Sequence, residues 1–341
     1  MAATLKDVAL LAGVSVKTVS NVVNGYAFVK AENRRRVEEA LTATGYRPNL
    51  GARNLRRGRT GFIALVVPEL SVSYFGELAG LVITAAQGED WNVLIEQTQG
   101  IAERERRSLA SLGPHLIDGA IVSPEALDSG DLTALSPGVP VVLLGEHAFD
   151  VPIDHVAIDN VVAAQTAVNH LIAIGRRRIA AIGQHPRRGT AVQRMAGYRQ
   201  ALGTAGLPQP ENYVVAAMNY HRRDGAEAMA HLLDLRSPPD AVFCFNDLLA
   251  IGALRAAAER GIRVPEDVAI VGFDNTEESA YSLPALTTIA PDKAAIARAA
   301  VGLIRRRDAS SGQGGEPFPR QDVQTPFSLQ IRGSTRAQGF S

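Results

Sequence analysis

Apolar residues recur at helical spacing near the start of the chain, at Leu5, Val8, Ala9 and Ala12, then at Val16, Val19, Val22 and Val23. Each stripe covers about two turns and predicts a short helix. Gly13 breaks the first, because a tight turn between helices calls for left-handed backbone that glycine adopts freely. Val14 follows as a buried plug. Ser15 is an N-cap whose hydroxyl can accept from the unpaired amides of the second helix, and Asn24-Gly25 stops that helix. A third helix is predicted from about Ala31 to Thr44, with Val37, Ala40 and Leu41 inward and Gly45 at its end.

From Gly61 the period changes. Short continuous apolar runs stand at Phe62–Val67, Asn92–Glu96, Gly119–Ser123, Val139–Leu144, Val156–Asp159, Ile179–Gly183, Ala241–Phe245, Val268–Phe273 and Thr287–Ile289. Such runs suit parallel strands covered on both faces. Helical stretches such as Glu77–Ala86, Ala163–Ile174, Ala191–Ala205, Gly225–Leu233 and Leu249–Arg260 separate them. Repeated β-α units predict doubly wound α/β sheets, and about nine or ten strands are too many for one sheet, so two lobes are expected. Between hairpin and sheets, Tyr46 to Thr60 offers Arg53, Arg56, Arg57 and Arg59 around Ala52 and Leu55, too little to bury for independent order.

Charge sharpens this division. The 341 residues carry no net formal charge, yet residues 1–60 hold 11 Lys/Arg against 4 Asp/Glu, a net of +7, and the remainder balances it at −7. A basic head on an acidic body is expected where only the head meets phosphate. The polar face of the second helix, Lys17, Thr18, Ser20 and Asn21, carries groups that hydrogen-bond phosphates and base edges. An ordinary helical hairpin with a solvated face would show the same turn pattern. The run Arg34-Arg35-Arg36 reads either as a solvated face or as a contact to flanking phosphate.

Other chemistries find little support. The single cysteine, Cys244, cannot form an internal disulfide and sits in an apolar run, as a packing residue of a protein from a reducing compartment. No apolar run approaches a membrane span and none resembles a cleaved leader, so a cytoplasmic, soluble protein is expected. The seven His residues lack metal-ligand spacing, and no Walker loop, nucleophile elbow or H-E-x-x-H occurs. Glu146-His147 lacks a nucleophile and reads as a surface pair. Neither an enzyme nor a metal or cofactor site is expected.

Thr4 to Ala9 (TLKDVA), Ala12 to Ser15 (AGVS), Thr18 to Ser20 (TVS) and Val22 to Asn24 (VVN) carry a resemblance. The chain resembles the lactose-repressor family (LacI/GalR type) of bacterial transcription regulators. The resemblance implies an all-α helix-turn-helix head at 1–46 and a hinge helix at 47–60. A periplasmic-binding-protein-like core of doubly wound parallel sheets at 61–341 would follow. Its lobes would be divided at about 61–160 with 290–320, and 161–289 with 321–341. Val16, Lys17 and Asn21 would read bases of a near-palindromic operator, while Thr4, Ser15, Thr18, Ser20 and Asn24 would hold phosphates. Asn21 replaces an arginine common in relatives, so its base preference does not transfer. Ala52, Arg53 and Leu55 would form the minor-groove hinge, with Leu55 as the kinking wedge. Gly51, where Ala or Val is usual, implies a hinge less ordered without DNA.

In the core, the resemblance implies that Tyr74 and Phe75 line an effector cleft. Arg194, in the family's R-x-A-G motif, would be the charged clamp, with Arg188 and Thr190 nearby and Tyr220 stacking on the ligand. Asn246 and Asp274 would meet its hydroxyls, with Asp159 a weaker candidate, while Asp247 caps a helix. Pro291 stands where relatives have a polar contact. The expected partners are double-stranded DNA, a second copy in a homodimer and a mono- or oligosaccharide. A corepressor-dependent regulator with a purine-like effector, or an activator, would share these features. A periplasmic sugar-binding protein would need an export signal, and a sugar-processing enzyme would need paired acids in the cleft.

Overall fold

A computed structural model describes residues 3–23, 26–46, 59–134, 138–145, 151–185, 189–311 and 319–336, which fall into two compact units, 1–60 and 61–341. The first unit holds α1 (Leu5–Ala12), α2 (Val16–Val23) and α3 (Ala31–Thr44). Thr4 and Asp7 form a capping box at α1, in which each side chain accepts from the other residue's amide. Gly13 then turns the chain at φ 62°. The Ser15 hydroxyl accepts from the Thr18 amide at 3.1 Å, so α2 starts on a proper cap. Lys30 makes no side-chain cap bond at α3, as its chemistry dictates. Val8, Val19 and Val37 are fully buried where the three helices meet. Val16, counted in the apolar stripe, is instead exposed.

Arg34 and Arg36 serve the head's own structure. Arg34 donates to the Tyr26 carbonyl at 2.8 Å, and the Arg36 guanidinium fills the space beside Gly13 where a side chain would stand. Arg35 pairs with Glu39 on the surface.

The second unit has two six-stranded sheets built on the same plan. Sheet one runs β2 (Asn92–Gln97), β1 (Phe62–Val67), β3 (Gly119–Val122), β4 (Val141–Leu144), β5 (Asp154–Ala157) and β11 (Asp322–Gln324), all parallel. Sheet two runs β7 (Val214–Ala216), β6 (Ile179–Gln184), β8 (Ala241–Cys244), β9 (Ala269–Phe273), β10 (Thr287–Pro291) and β12 (Phe327–Gln330), with only β12 antiparallel. Alternation decides burial: Ile63, Leu65 and Val67 of β1 join one apolar cluster, and Ala64 and Val66 join another on the opposite face.

Among the described residues, the second unit's α-helices are α4 (Ser73–Gln87), α5 (Ala102–Ser111), α6 (Ser129–Ala134), α7 (Asn160–Ala173), α8 (Gly189–Thr204), α9 (Arg222–Leu233), α10 (Asp247–Glu259), α11 (Glu277–Tyr281) and α12 (Lys293–Ser311). On the second lobe, α9 and α10 cross with backbones in contact. A β-carbon at Gly252 would overlap the Arg222 carbonyl, and one at Gly225 would overlap the Leu249 carbonyl.

The lobes connect by three crossovers, after β5, β10 and β11. Hydrogen bonds bind these segments together: the Thr325 amide and hydroxyl donate to the Ala157 carbonyl at 2.8 and 3.2 Å, and the Asp292 amide to the Pro326 carbonyl at 3.0 Å. The sheets correct the expected boundaries in two places. Residues 322–324 belong to the first sheet, not the second lobe, because β11 pairs with β5. The fifth strand ends at Ala157, two residues earlier than its apolar pattern indicates. Three-residue β7 and β11 were too short to read, and β11 is polar as well.

Candidate functional site

A cavity of about 170 Å³ opens between the two sheets, and its walls follow the carboxyl ends of strands. Pro68 and Glu69 follow β1, Ser123 and Glu125 follow β3, Asn246 follows β8, and Asp274 follows β9. Tyr74, Phe75, Thr190, Arg194, Tyr220, Asn246 and Asp274, all named from sequence, line this one space. A narrow recess continues from it past Tyr74, Arg194 and Asp274 to Pro291, so the proline contributes apolar wall where a polar side chain was expected.

Arg194 on α8 is 7% exposed, and its fork is held from three sides. Nε donates to the Asn160 side-chain oxygen at 2.7 Å, and Nη1 donates to the Phe245 carbonyl. Nη2 stands 4.0 Å from Asp274, and the guanidinium lies 3.5 Å above the centre of the Phe273 ring. A buried guanidinium needs this many partners, because leaving it unpaired costs several kcal/mol. Its position is therefore fixed by groups of the second lobe itself.

Asn246 does two tasks. Its side-chain oxygen caps α10, accepting from the Leu249 amide at 2.9 Å, and its nitrogen donates to the Tyr220 carbonyl at 3.0 Å. The cap assigned to Asp247 thus belongs to Asn246. Asp247 is instead fully buried, accepting from the Thr276 amide and hydroxyl and the Thr288 hydroxyl. Burial pushes its carboxyl up to about 6, against the pull of those hydrogen bonds and of Lys293. Tyr220 sits at φ 59° and donates its hydroxyl to the Gly183 carbonyl, which leaves the ring as cavity wall.

On the first lobe, Tyr74 and Phe75 open α4 and meet edge to face at 5.3 Å. The loop bearing Glu125 hangs from Glu105, a buried carboxylate on α5 that sequence reasoning missed. It accepts from the amides of Glu125, Ala126 and Leu127 at 2.9–3.1 Å. Asn160 gives no signal in the sequence either, and the weaker effector candidate beside it, Asp159, points elsewhere. Asp159 caps α7 through the Val162 amide and lines a separate open depression beside Arg320 and Asp322. Reading β5 two residues too long hid which of the pair points inward.

Polar contacts cross the cleft. His221 meets Glu69 at 2.9 Å, Ser73 donates to Glu278 at 3.2 Å, and the Glu277 amide donates to Glu77 at 2.8 Å.

On the head, Lys17 is exposed, and Thr18, Ser20 and Asn21 are half-exposed along α2. Thr4 and Ser15 already serve as caps, with their side chains still at the surface. Asn24, Gly51, Ala52, Arg53, Leu55, Glu146, His147 and Arg188 lie outside the described residues. Among the described residues, no cluster of His, Cys, Asp or Glu could hold a metal ion, and no helix is long and apolar enough to cross a membrane.

Comparison with known proteins follows the same division. A family profile described as bacterial regulatory proteins, lacI family, matches residues 4–49, and one described as a periplasmic binding protein-like domain matches residues 168–335. The HTH-type transcriptional regulator DegA of Bacillus subtilis is 34% identical over 98% of both chains. Among solved structures, the lac repressor dimer bound to operator and the anti-inducer ONPF superposes with a TM-score of 0.86 at 27% identity, over 99% of this chain and 100% of that one. A complex of the transcriptional regulator CelR with cellobiose gives 0.72 at 30% identity, over 97% and 99%.

Proposed function

Because the chain belongs to the lacI family of bacterial regulatory proteins, we propose that it is a dimeric repressor whose grip on an operator is set by a small molecule in the cleft. It is a DNA-binding regulator and not an enzyme. The observation that carries the effector reading is the meeting of Arg194, Asp274, Asn246, Tyr220, Tyr74 and Phe75 around one cavity between the lobes. Charged forks and carboxylates beside aromatic faces suit a hydroxyl-rich ring. A mono- or oligosaccharide, or a derivative, is therefore the effector class we favour, and the CelR–cellobiose complex supports it. The three aromatic rings keep a purine-like corepressor as the second reading.

On the DNA side, α2 would enter the major groove, with Lys17, Asn21 and Val16 at base edges. Ser15, Thr18, Ser20 and Asn24 would lie at phosphates, with Thr4 beside them. A homodimer would place two such helices on a near-palindromic site, with Leu55 and its neighbours Ala52 and Arg53 in the minor groove between them. Domain bounds of 1–46, 47–60 and 61–341 fit this division of labour, and the working compartment would be the cytoplasm, where its DNA lies.

Operator binding tests the head directly. Affinity for a duplex enriched in vitro should fall steeply with salt, by a log–log slope of about −0.9 for each neutralised phosphate. A flat salt response, or no duplex enriched at all, contradicts the proposal.

A further inference from the structure

Asp274 and Asn275 are consecutive non-glycine residues in the left-handed region, at φ 113° and 48°. Such backbone is costly and persists only where its surroundings over-determine it. Part of that determination comes from the second lobe itself. The Asn275 amide donates to the Thr288 hydroxyl at 3.3 Å, and Arg332 donates to the Asn275 side-chain oxygen at 2.6 Å. More comes from the other lobe. Lys293 opens α12, a helix packed on α4 and on strands β3 to β5 of the first sheet. Its ammonium donates to the Asp274 carbonyl at 3.0 Å and the Asn275 carbonyl at 2.9 Å.

The third donor goes to Glu77 of α4, which also accepts from the Glu277 amide just beyond the strained turn. An ammonium has three N–H groups, and this one has a partner for each. The Lys293 side chain is only 10% exposed, and Nζ lies 5.9 Å from the centre of the Tyr74 ring, itself cavity wall. The same cation therefore fixes the turn that presents Asp274 and ties that turn to the helix carrying Tyr74 and Phe75.

We infer that Lys293 and Glu77 form a positioning pair that couples the set of the Asp274 turn to lobe closure, and through closure to operator affinity. Closing the cleft brings the first-lobe carboxylate and ammonium onto second-lobe carbonyls and an amide. Opening it would leave charged groups without these partners, so the pair biases the two lobe arrangements against each other. A contact that merely stabilised the fold would lower the melting temperature and leave the operator affinity of the folded protein unchanged.

The inference rests on the reading of the chain as an operator-binding regulator, and the test separates the two. Lys293→Met, Glu77→Gln and the double variant, as full-length protein, are titrated against an operator duplex enriched with wild-type protein, without added effector. Each single change should shift affinity at least about fivefold and in the same direction. The double variant should shift it no further than the larger single, since both remove one linkage. Asp267→Asn breaks the exposed Arg263–Asp267 pair elsewhere on the second lobe and should leave affinity unchanged. Affinities within twofold of wild type in both single variants, or effects that multiply independently, would overturn the pair's role while the operator reading stands. Wild-type protein that recognises no duplex would overturn both.

Discussion

The two walls of the cleft are built differently. On the second lobe, Arg194, Asn246 and Tyr220 each bond to their own lobe, through Asn160 and Phe245, Leu249, and Gly183 respectively. On the first lobe, Tyr74 and Phe75 pack against the apolar core and meet each other edge to face, Glu125 hangs from a loop held by Glu105, and several polar contacts reach across to the second lobe. The second lobe ties its polar cavity groups internally, while the first lobe adds ties that run across the cleft. That asymmetry is what a ligand-driven switch requires, because binding energy can then be directed into moving one wall against a fixed one.

Helix packing behind the walls gives the sharpest contrast. Gly252 lies in α10, the helix that Asn246 caps, with no room for a methyl group against the Arg222 carbonyl. Gly252→Ala should destabilise the core by about 3 kcal/mol and lower its melting temperature by several degrees. Gly80 lies in α4, the helix that carries Tyr74 and Phe75 near its start, exposed and with nothing within 4 Å of an added β-carbon. The same substitution there should stabilise by up to about 1 kcal/mol through helix propensity. Equal responses at the two sites would erase the distinction between the walls.

Asp247 adds a pH signature to the fixed wall. Its carboxyl is pushed up to about 6 by burial, whereas in the unfolded chain it ionises near its ordinary value of 3.8. Between about pH 4 and pH 6 the unfolded chain has therefore lost a proton that the folded protein keeps, and stability falls as pH rises through that window. The shift corresponds to about 3 kcal/mol at most, fully expressed above pH 6. Subtracting the denaturation curve of Asp247→Asn from that of wild type should isolate this loss, and a flat difference would contradict it.

What the sequence made legible follows the same physics. The head was readable because its helices are short and end on local signals, Ser15 and Gly13 among them, each acting within a few residues. Tyr74, Arg194, Tyr220, Asn246 and Asp274 were found because they stand beside strand ends and in motifs with a family resemblance. Asn160 escaped because its inward direction depends on where β5 stops, and Lys293 because its carboxylate partner lies 216 residues away. Glu105 gave no signal either: a glutamate in a charged helix looks solvated until a loop folds onto it. Arg34 and Arg36 read either as a solvated face or as phosphate contacts for the converse reason, their partners Tyr26 and Gly13 being invisible as partners in a linear pattern.

The central claim, that a ligand held by the fixed wall governs the head, is most directly tested by one titration. Operator affinity of wild type and of Asp274→Asn is measured by fluorescence anisotropy, with and without the sugar or nucleobase that most raises the melting temperature of the wild-type protein. The account predicts a 5- to 150-fold change in wild type, the range of about 1–3 kcal/mol of coupling, and a variant that binds operator but no longer responds. A variant that responds as fully as wild type would contradict it.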